Sequence, residues 1–302
     1  MTVDRSPPPA ERRRRIQKLD VGVITLVILL FAYVVYRVDY VLVYDWDWGP
    51  VLNFVVTTDP ETGSWMANLL VEGLMMTLRL AFWGTIVAAV IGLLMGLCRV
   101  SGDLFLRMMS RLYVELIRNI PPLVFIFVFY FFISSQIMPL LGVEEFAREA
   151  SPTTQKVIGL FFSPIGLFSN FLAGVICLAM FEGAYITEIV RAGIQSIDKG
   201  QWEGARAIGL SRFDVMRDVI LPQAIRKILP PLAGQFITLV KDSAIVALIS
   251  VQELTFSGIE VAATTTRVFE TWIVVGAMYF VVCYVFAVLF RRWETSMPQD
   301  KR

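Results

Sequence analysis

Charge is absent from four long stretches of the chain. Residues 120–143, 157–181, 80–98 and 271–290 carry no Asp, Glu, Lys or Arg, and a shorter apolar run covers 21–36. About 20 apolar residues in helical form cross the hydrocarbon core of a bilayer. A surface helix of a soluble protein keeps a polar face, and uncharged runs of this length do not provide one. The pattern predicts an all-α, multi-span membrane protein.

Polar residues punctuate these runs. The apolar run 21–36 is followed by Arg37, Asp39 and Tyr40 rather than a small-x-small cleavage site, so an uncleaved anchor helix is expected over 21–40. The segment 41–67 is acidic and rich in tryptophan (Asp45, Trp46, Asp47, Trp48, Trp65), as in an external loop with interfacial aromatics. A second helix is expected over 68–98, then a short basic loop with Arg99, Arg107 and Arg111. The third helix is expected to begin near Tyr113 and to be interrupted at Pro121-Pro122, because proline breaks a helix interior. Residues 138–168 form an outer connection with an amphipathic stretch at 144–156. The fourth helix has two readings. Hydropathy places it at 157–181; Ser163-Pro164 and Ser169-Asn170 favour a start near Phe171 and an end near Gly193. A polar loop covers 195–227. The fifth helix is expected over 229–251 with Lys241-Asp242 in its middle, and the sixth over 271–290.

The near-balanced charge, 27 basic against 26 acidic residues, conceals a strong segregation. With six spans and the N-terminus inside, 21 of the 27 Lys and Arg fall on inner segments and 4 on outer ones. The positive-inside rule then orients the chain with both termini cytoplasmic. Residues 1–20, Pro-rich and then basic, read as a cytoplasmic tail. Histidine is absent from the sequence, which removes His metal ligation, His proton relays and Ser-His triads. Cys98, Cys177 and Cys283 each lie in an apolar segment without paired spacing and read as packing residues. No catalytic residue, metal, cofactor or nucleic-acid partner is expected.

The inner loop 196–222 carries the strongest local signals. Asp198 can cap a helix start, with Gln201 three residues on. Trp202, Ala205 and Ile208 would share one helical face. Gly209 suits a left-handed helix end. Ser211 with Asp214 caps a second short helix, and Pro222 is expected to stop it. Helix, glycine turn, helix on the membrane surface is either an interfacial element resting on headgroups or a dock for another protein; the second cap and the turn favour the dock.

The segment Glu203, Gly204, Ala205, Arg206, Ala207, Ile208, Gly209, then nine residues, then Val219, Ile220, Leu221, Pro222, resembles the EAA loop of ABC-importer permeases. That pattern has Glu-Ala-Ala, a glycine four residues after the second alanine, and an apolar-x-Leu-Pro ending. Gly204 stands where the family usually has alanine. Residues 113–121, 184–194, 221–231 and 241–245 further resemble the polar-amino-acid branch, and the likeness covers about 68–295. It implies a five-helix permease core with the 21–40 helix added. Its implied partners are a dimer of ATP-binding cassette subunits, a second permease subunit (the same or a different chain), a periplasmic or lipid-anchored amino-acid-binding protein, and membrane lipid. The place implied is a bacterial inner membrane. Gln201, Glu203, Gly204, Ala205, Gly209, Leu221 and Pro222 would then couple to the ATPase. The sequence contains no Gly-x-x-x-x-Gly-Lys-[Ser/Thr] phosphate loop, so ATP hydrolysis is expected in a partner chain.

Charges inside spans must face protein or water. Glu72, Arg79, Glu182, Glu188, Lys241 and Asp242 are such charges, and Arg118 lies just before the Pro pair. Glu182 near mid-membrane can meet a solute ammonium or a structural partner such as Arg79. Glu188 and Arg191 are expected to pair. Lys241 and Asp242, being adjacent, need not pair with each other; a structural and a pathway role both stay open. Gly92 and Gly96 form a GxxxG that permits close helix approach. A stand-alone ion-coupled transporter using Glu182, Glu188 and Asp242 is the rival reading.

Overall fold

The computed structural model describes residues 18–41, 44–59 and 63–296, so most of the expected basic tail lies outside the described residues. Among the described residues, six helical spans are long and apolar enough to cross a membrane: Leu19–Val41, Leu69–Val100, Pro122–Leu140, Ile165–Gln195, Arg212–Ile249 and Val268–Ser296. The chain divides into two units, 1–47 and 48–302. The first contains helix α1, Lys18–Tyr36, extended by a π-type turn over Arg37–Val41. Its apolar side chains are exposed all round, as suits a helix whose solvent is lipid.

The second unit is built around two crossing helices. It opens with a short turn of helix, α2 (Gly49–Leu52), and a small antiparallel hairpin that hydropathy did not announce, β1 (Val56–Thr58) against β2 (Trp65–Ala67), with Val56 opposite Ala67. Asn68 then caps α3, Leu69–Val100, accepting from the Leu69 amide at 2.8 Å while its Nδ2 donates to the Asn53 carbonyl at 2.8 Å. The buried face of α3 is a stripe of small residues: Gly73, Thr77, Ala81, Gly84, Ala88, Gly92 and Gly96. Steps of three and four keep them on one side of the helix. Gly73 faces Leu254 and Ser257 and Gly84 faces Leu239, while Gly92 and Gly96 let α9, Phe168–Gln195, come in close. A Cβ at Gly92 would lie 2.4 Å from Ile186 Cγ2, and one at Gly96 would lie 2.5 Å from Val190 Cγ1.

Between these two helices the structure departs from the sequence reading. The expected basic loop after Arg99 is a strongly amphipathic helix, α4 (Leu104–Arg118), capped by Asp103, whose carboxylate accepts from the Leu106 amide at 3.0 Å. Tyr113 is therefore in its interior and does not start the third span. That span begins at the proline pair, with Pro121 at the cap and Pro122 in the first turn of α5 (Pro122–Val128), where a missing N–H costs nothing. It continues through a π-type turn, Phe129–Ser134, into α6 (Ser135–Leu140). The outer connection forms α7 (Val143–Glu149) and α8 (Pro152–Phe161), so the 157–181 alternative for the fourth span is split at Ser163-Pro164. The start of α9 at Phe168 matches the later reading within three residues.

After α9 come two short surface helices, α10 (Lys199–Ala207) and α11 (Arg212–Asp214), then a π-type turn, Val215–Ile220, and α12 (Leu221–Asp242). The fifth span thus starts earlier than 229. Pro222 does not stop the preceding helix; it sits in the first turn of α12, just after the widened turn. Lys241-Asp242 end the α-helix instead of occupying its middle, and the chain tightens to a 3₁₀ segment, Ser243–Ile249. Helices α13 (Leu254–Thr265) and α14 (Val268–Ser296) complete the unit. One apolar core gathers Leu80, Ile126, Phe171, Leu178, Leu239 and Val246 from α3, α5, α9, α12 and the 3₁₀ segment.

Candidate coupling and translocation sites

The helix, turn, helix over 198–214 is formed as the caps require. Asp198 accepts from the Gly200 amide at 2.7 Å. Ser211 Oγ accepts from the Asp214 amide at 3.3 Å and donates to the Asp214 carboxylate at 2.5 Å. Gly209 has φ +86°, the left-handed region. Gln201 does not close a box on Asp198; its side-chain oxygen Oε1 accepts from Gln223 Nε2 at 3.1 Å, tying α10 to α12. Lys227 Nζ donates to the Ser196 carbonyl at 2.8 Å and makes a second tie.

One face of α10 packs inward. Ala205 is buried, and Trp202 lies with it against Ile194, Ile197, Val215 and Ile220. Ile208 does not share that face: α10 ends at Ala207, so the helical period stops before it, and Ile208 is 77% exposed. Glu203 and Gly204 are also exposed, and Phe213 is 69% exposed. Leu221 is half-buried and Pro222 exposed. The loop therefore leaves an acidic residue and two large apolar side chains exposed, and it stands on a base fixed to α9 and α12. Gly209→Val is expected to cost about 1–2 kcal/mol, because a Cβ strains a left-handed residue. Gly204→Ala, with no atom within 4 Å of the added Cβ, is expected to be neutral or to gain up to about 1 kcal/mol. Thermal midpoints of the purified variants check both.

The intramembrane charges separate into groups. Glu188 lies in an ion-pair cluster, 2.7 Å from Arg191 Nη2 and 3.5 Å from Arg99 Nε. This is the expected pair with one arginine added. Arg118 is exposed at the end of α4, its guanidinium 5.1 Å from the centre of the Tyr185 ring. Lys241 is exposed. Glu182 is fully buried on α9; Gln235 Nε2 of α12 donates to its Oε2, while its Oε1 has no hydrogen-bond partner among the described residues. Asp242 brings a second carboxylate against it. Arg79 is not its partner: it points to the Phe162 carbonyl at 3.4 Å.

Sequence reasoning passed over a second buried carboxylate. Glu253, fully buried, caps α13 by accepting from the Phe256 amide at 3.0 Å, and it also accepts from Thr77 Oγ1 at 3.1 Å and Tyr279 Oη at 2.6 Å. One side chain thereby joins α3, α13 and α14. Burial pushes its carboxyl above the usual carboxylate range, against the opposing pull of those hydrogen bonds. The readable signal was a lone acid immediately before an apolar run, which is a helix-cap position.

With this geometry in place, the comparisons with known proteins assign a class. Residues 88–297 match the family described as binding-protein-dependent transport system inner membrane component. The chain belongs to that family. It is 34% identical over 229 residues to the glutamine transport system permease protein GlnP of Escherichia coli (strain K12), covering 76% of this chain and 93% of that protein. Among solved structures, a chain of an amino acid ABC transporter crystallised with histidines aligns with TM-score 0.61 and 34% identity, covering 76% of this chain and 94% of that one. The MetNI methionine ABC transporter in an inward-facing conformation shares the fold, with TM-score 0.55 and 19% identity.

Proposed function

We propose that this chain is a permease subunit that moves a polar amino acid across a bacterial inner membrane, driven by ATP hydrolysis in separate subunits that dock on the 196–222 loop. The observation that carries the coupling role is the outward face of that loop. Glu203, Ile208 and Phe213 are solvent-exposed on an element otherwise pinned by hydrogen bonds to α12. Large apolar side chains exposed on one surface element suit a protein partner. The amino-acid substrate is supported by the relative whose name specifies glutamine transport and by the amino acid transporter structure. A binding protein, periplasmic or lipid-anchored, delivers the solute from outside, and a second permease completes the path. Both termini face the cytoplasm, as the segregation of Lys and Arg supports.

Within the path, the buried carboxyl of Glu182, with Asp242 close to it, is where a solute ammonium would be received. Two neighbouring carboxyls favour a nearby cation over an anion. Glu188 and Arg191 keep a structural role, Arg118 and Lys241 flank the path, and no catalytic residue is assigned.

The test is Glu203→Arg in vesicles containing the full transporter. ATP-driven uptake is expected to fall by about tenfold or more, the equivalent of 1.4 kcal/mol or more of lost docking, with the chain still folded in the membrane. Unchanged uptake and ATPase activity overturn the docking reading. Uptake driven by a proton gradient without ATPase subunits establishes an ion-coupled transporter in its place.

A further inference from the structure

At the end of the bundle that carries the coupling loop, four arginines line one cleft. Arg99 of α3, Arg107 and Arg111 of α4, and Arg191 of α9 surround a space of about 360 Å³ together with Leu104, Met108 and Gln195. No carboxylate belongs to that lining. Glu188 neutralises part of the charge on Arg99 and Arg191 from the side of α9. Arg107 is held by the Ser101 and Gly102 carbonyls at 2.8 and 2.9 Å, and Arg111 by Glu115 at 3.2 Å. Two carboxylates set against four guanidiniums leave the cleft positive.

A second observation concerns α4 itself. Ser110 Oγ donates to the Met95 carbonyl at 2.7 Å and Tyr113 Oη to the Met180 carbonyl at 2.6 Å, so the face of α4 that buries Val114 and Ile117 is fastened along α3 and α9. Its opposite side exposes Leu104, Met108, Leu112 and Leu116, each 59% exposed or more, at steps of four. That apolar stripe runs beside the stripe carrying Arg107 and Arg111. An amphipathic helix with an apolar stripe flanked by arginines lies in the membrane interface. Leu104 and Met108 belong both to the stripe and to the cleft, so the site joins a cationic floor to an apolar wall.

We infer that this cleft binds the headgroup of an anionic phospholipid, its phosphate among Arg99, Arg107, Arg111 and Arg191 and its acyl chains along the exposed stripe of α4. Free phosphate would use the arginines but not the apolar wall. A second copy of this chain placed on the same patch would set arginines against arginines, which like-charge repulsion disfavours.

The test is native mass spectrometry of the full-length transporter released from micelles containing phosphatidylglycerol or phosphatidylcholine of the same acyl chains. Selective retention of phosphatidylglycerol is expected, with inorganic phosphate unable to displace it. Arg111→Gln is expected to lower that retention about fivefold, the worth of one basic residue near an anionic surface. It is the leading variant because Arg111 is 71% exposed and bonds only Glu115 among the described contacts; Arg107→Gln also removes a cap of α3, and size-exclusion profiles show whether it folds. Equal retention of both lipids, or unchanged retention in Arg111→Gln, overturns the proposal. Displacement by inorganic phosphate reassigns the cleft to a free anion. Loss of the ATPase subunit from Arg111→Gln with lipid retention intact reassigns it to a protein dock.

Discussion

Gly92→Ala is expected to destabilise the protein by about 3 kcal/mol or somewhat more, at the upper end of what overpacking a filled core costs. The added carbon would lie 2.4 Å from Ile186 Cγ2, 2.6 Å from Ile186 Cβ and 3.1 Å from the Ile186 carbonyl carbon. A rotamer change relieves only the first of these, and Ile186 is β-branched and 1% exposed, so its side chain has little room to turn. Relief requires α3 and α9 to separate, and that crossing organises the unit. Gly276 supplies the contrast. It lies on α14 with nothing within 4 Å of a built Cβ. There alanine removes backbone freedom from the unfolded chain and should gain up to about 1 kcal/mol. Thermal midpoints of the two alanine variants in one detergent should therefore move in opposite directions. Equal shifts would mean that the glycines at 92 and 96 do not mark a close crossing.

That crossing was legible only as a spacing. Gly92 and Gly96 announced a helix able to come close to another, and nothing in the sequence named α9 as the neighbour or Ile186 as the contact. The spans themselves were legible because hydropathy over 20 residues is a large signal, and the later start of α9 was legible from Ser163-Pro164, although Ser169-Asn170 lies within the helix. Helix α4 was not, because its arginines fall among its leucines and methionines and make it look like a loop. Its apolar residues at 104, 108, 112 and 116 carry the helical period all the same, and a period sought without regard to net hydropathy would have found it. Pro222 was misread because a proline after a helix is normally a stop, whereas a π-type turn before it frees the backbone bond that proline cannot make.

The coupling loop was legible in its caps, which are local chemistry. Its orientation was not, because whether Ile208 points in or out depends on α10 ending one residue earlier. The translocation charges show the same division. Glu188 and Arg191, three residues apart, pair as helical spacing predicts. Glu182 finds Gln235, a residue 53 positions away that no local rule connects to it.

Glu253 is the extreme case of a long-range contact, and removing it should have a large effect. Glu253→Ala leaves the Thr77 and Tyr279 hydroxyls and the Phe256 amide without their acceptor in a buried setting. Each unsatisfied buried donor costs about 1–3 kcal/mol, so a loss above about 3 kcal/mol is expected even if one hydroxyl finds a new acceptor. Glu253→Gln keeps an acceptor for the hydroxyls but brings an NH₂ toward the Phe256 amide, and should lose less. The two carboxylate states separate the causes. Burial raises the folded-state affinity of Glu253 for its proton above the unfolded value of about 4.3. The stabilising contribution is then complete below that pH and is lost as pH rises through the folded value, since the native state holds the proton that the unfolded state has released. The midpoint of the unmodified chain minus that of Glu253→Gln should therefore fall as the pH is raised from about 4.3 toward neutrality. A difference that grows with pH would show that the hydroxyl and amide donors, which favour the carboxylate, outweigh burial at this position.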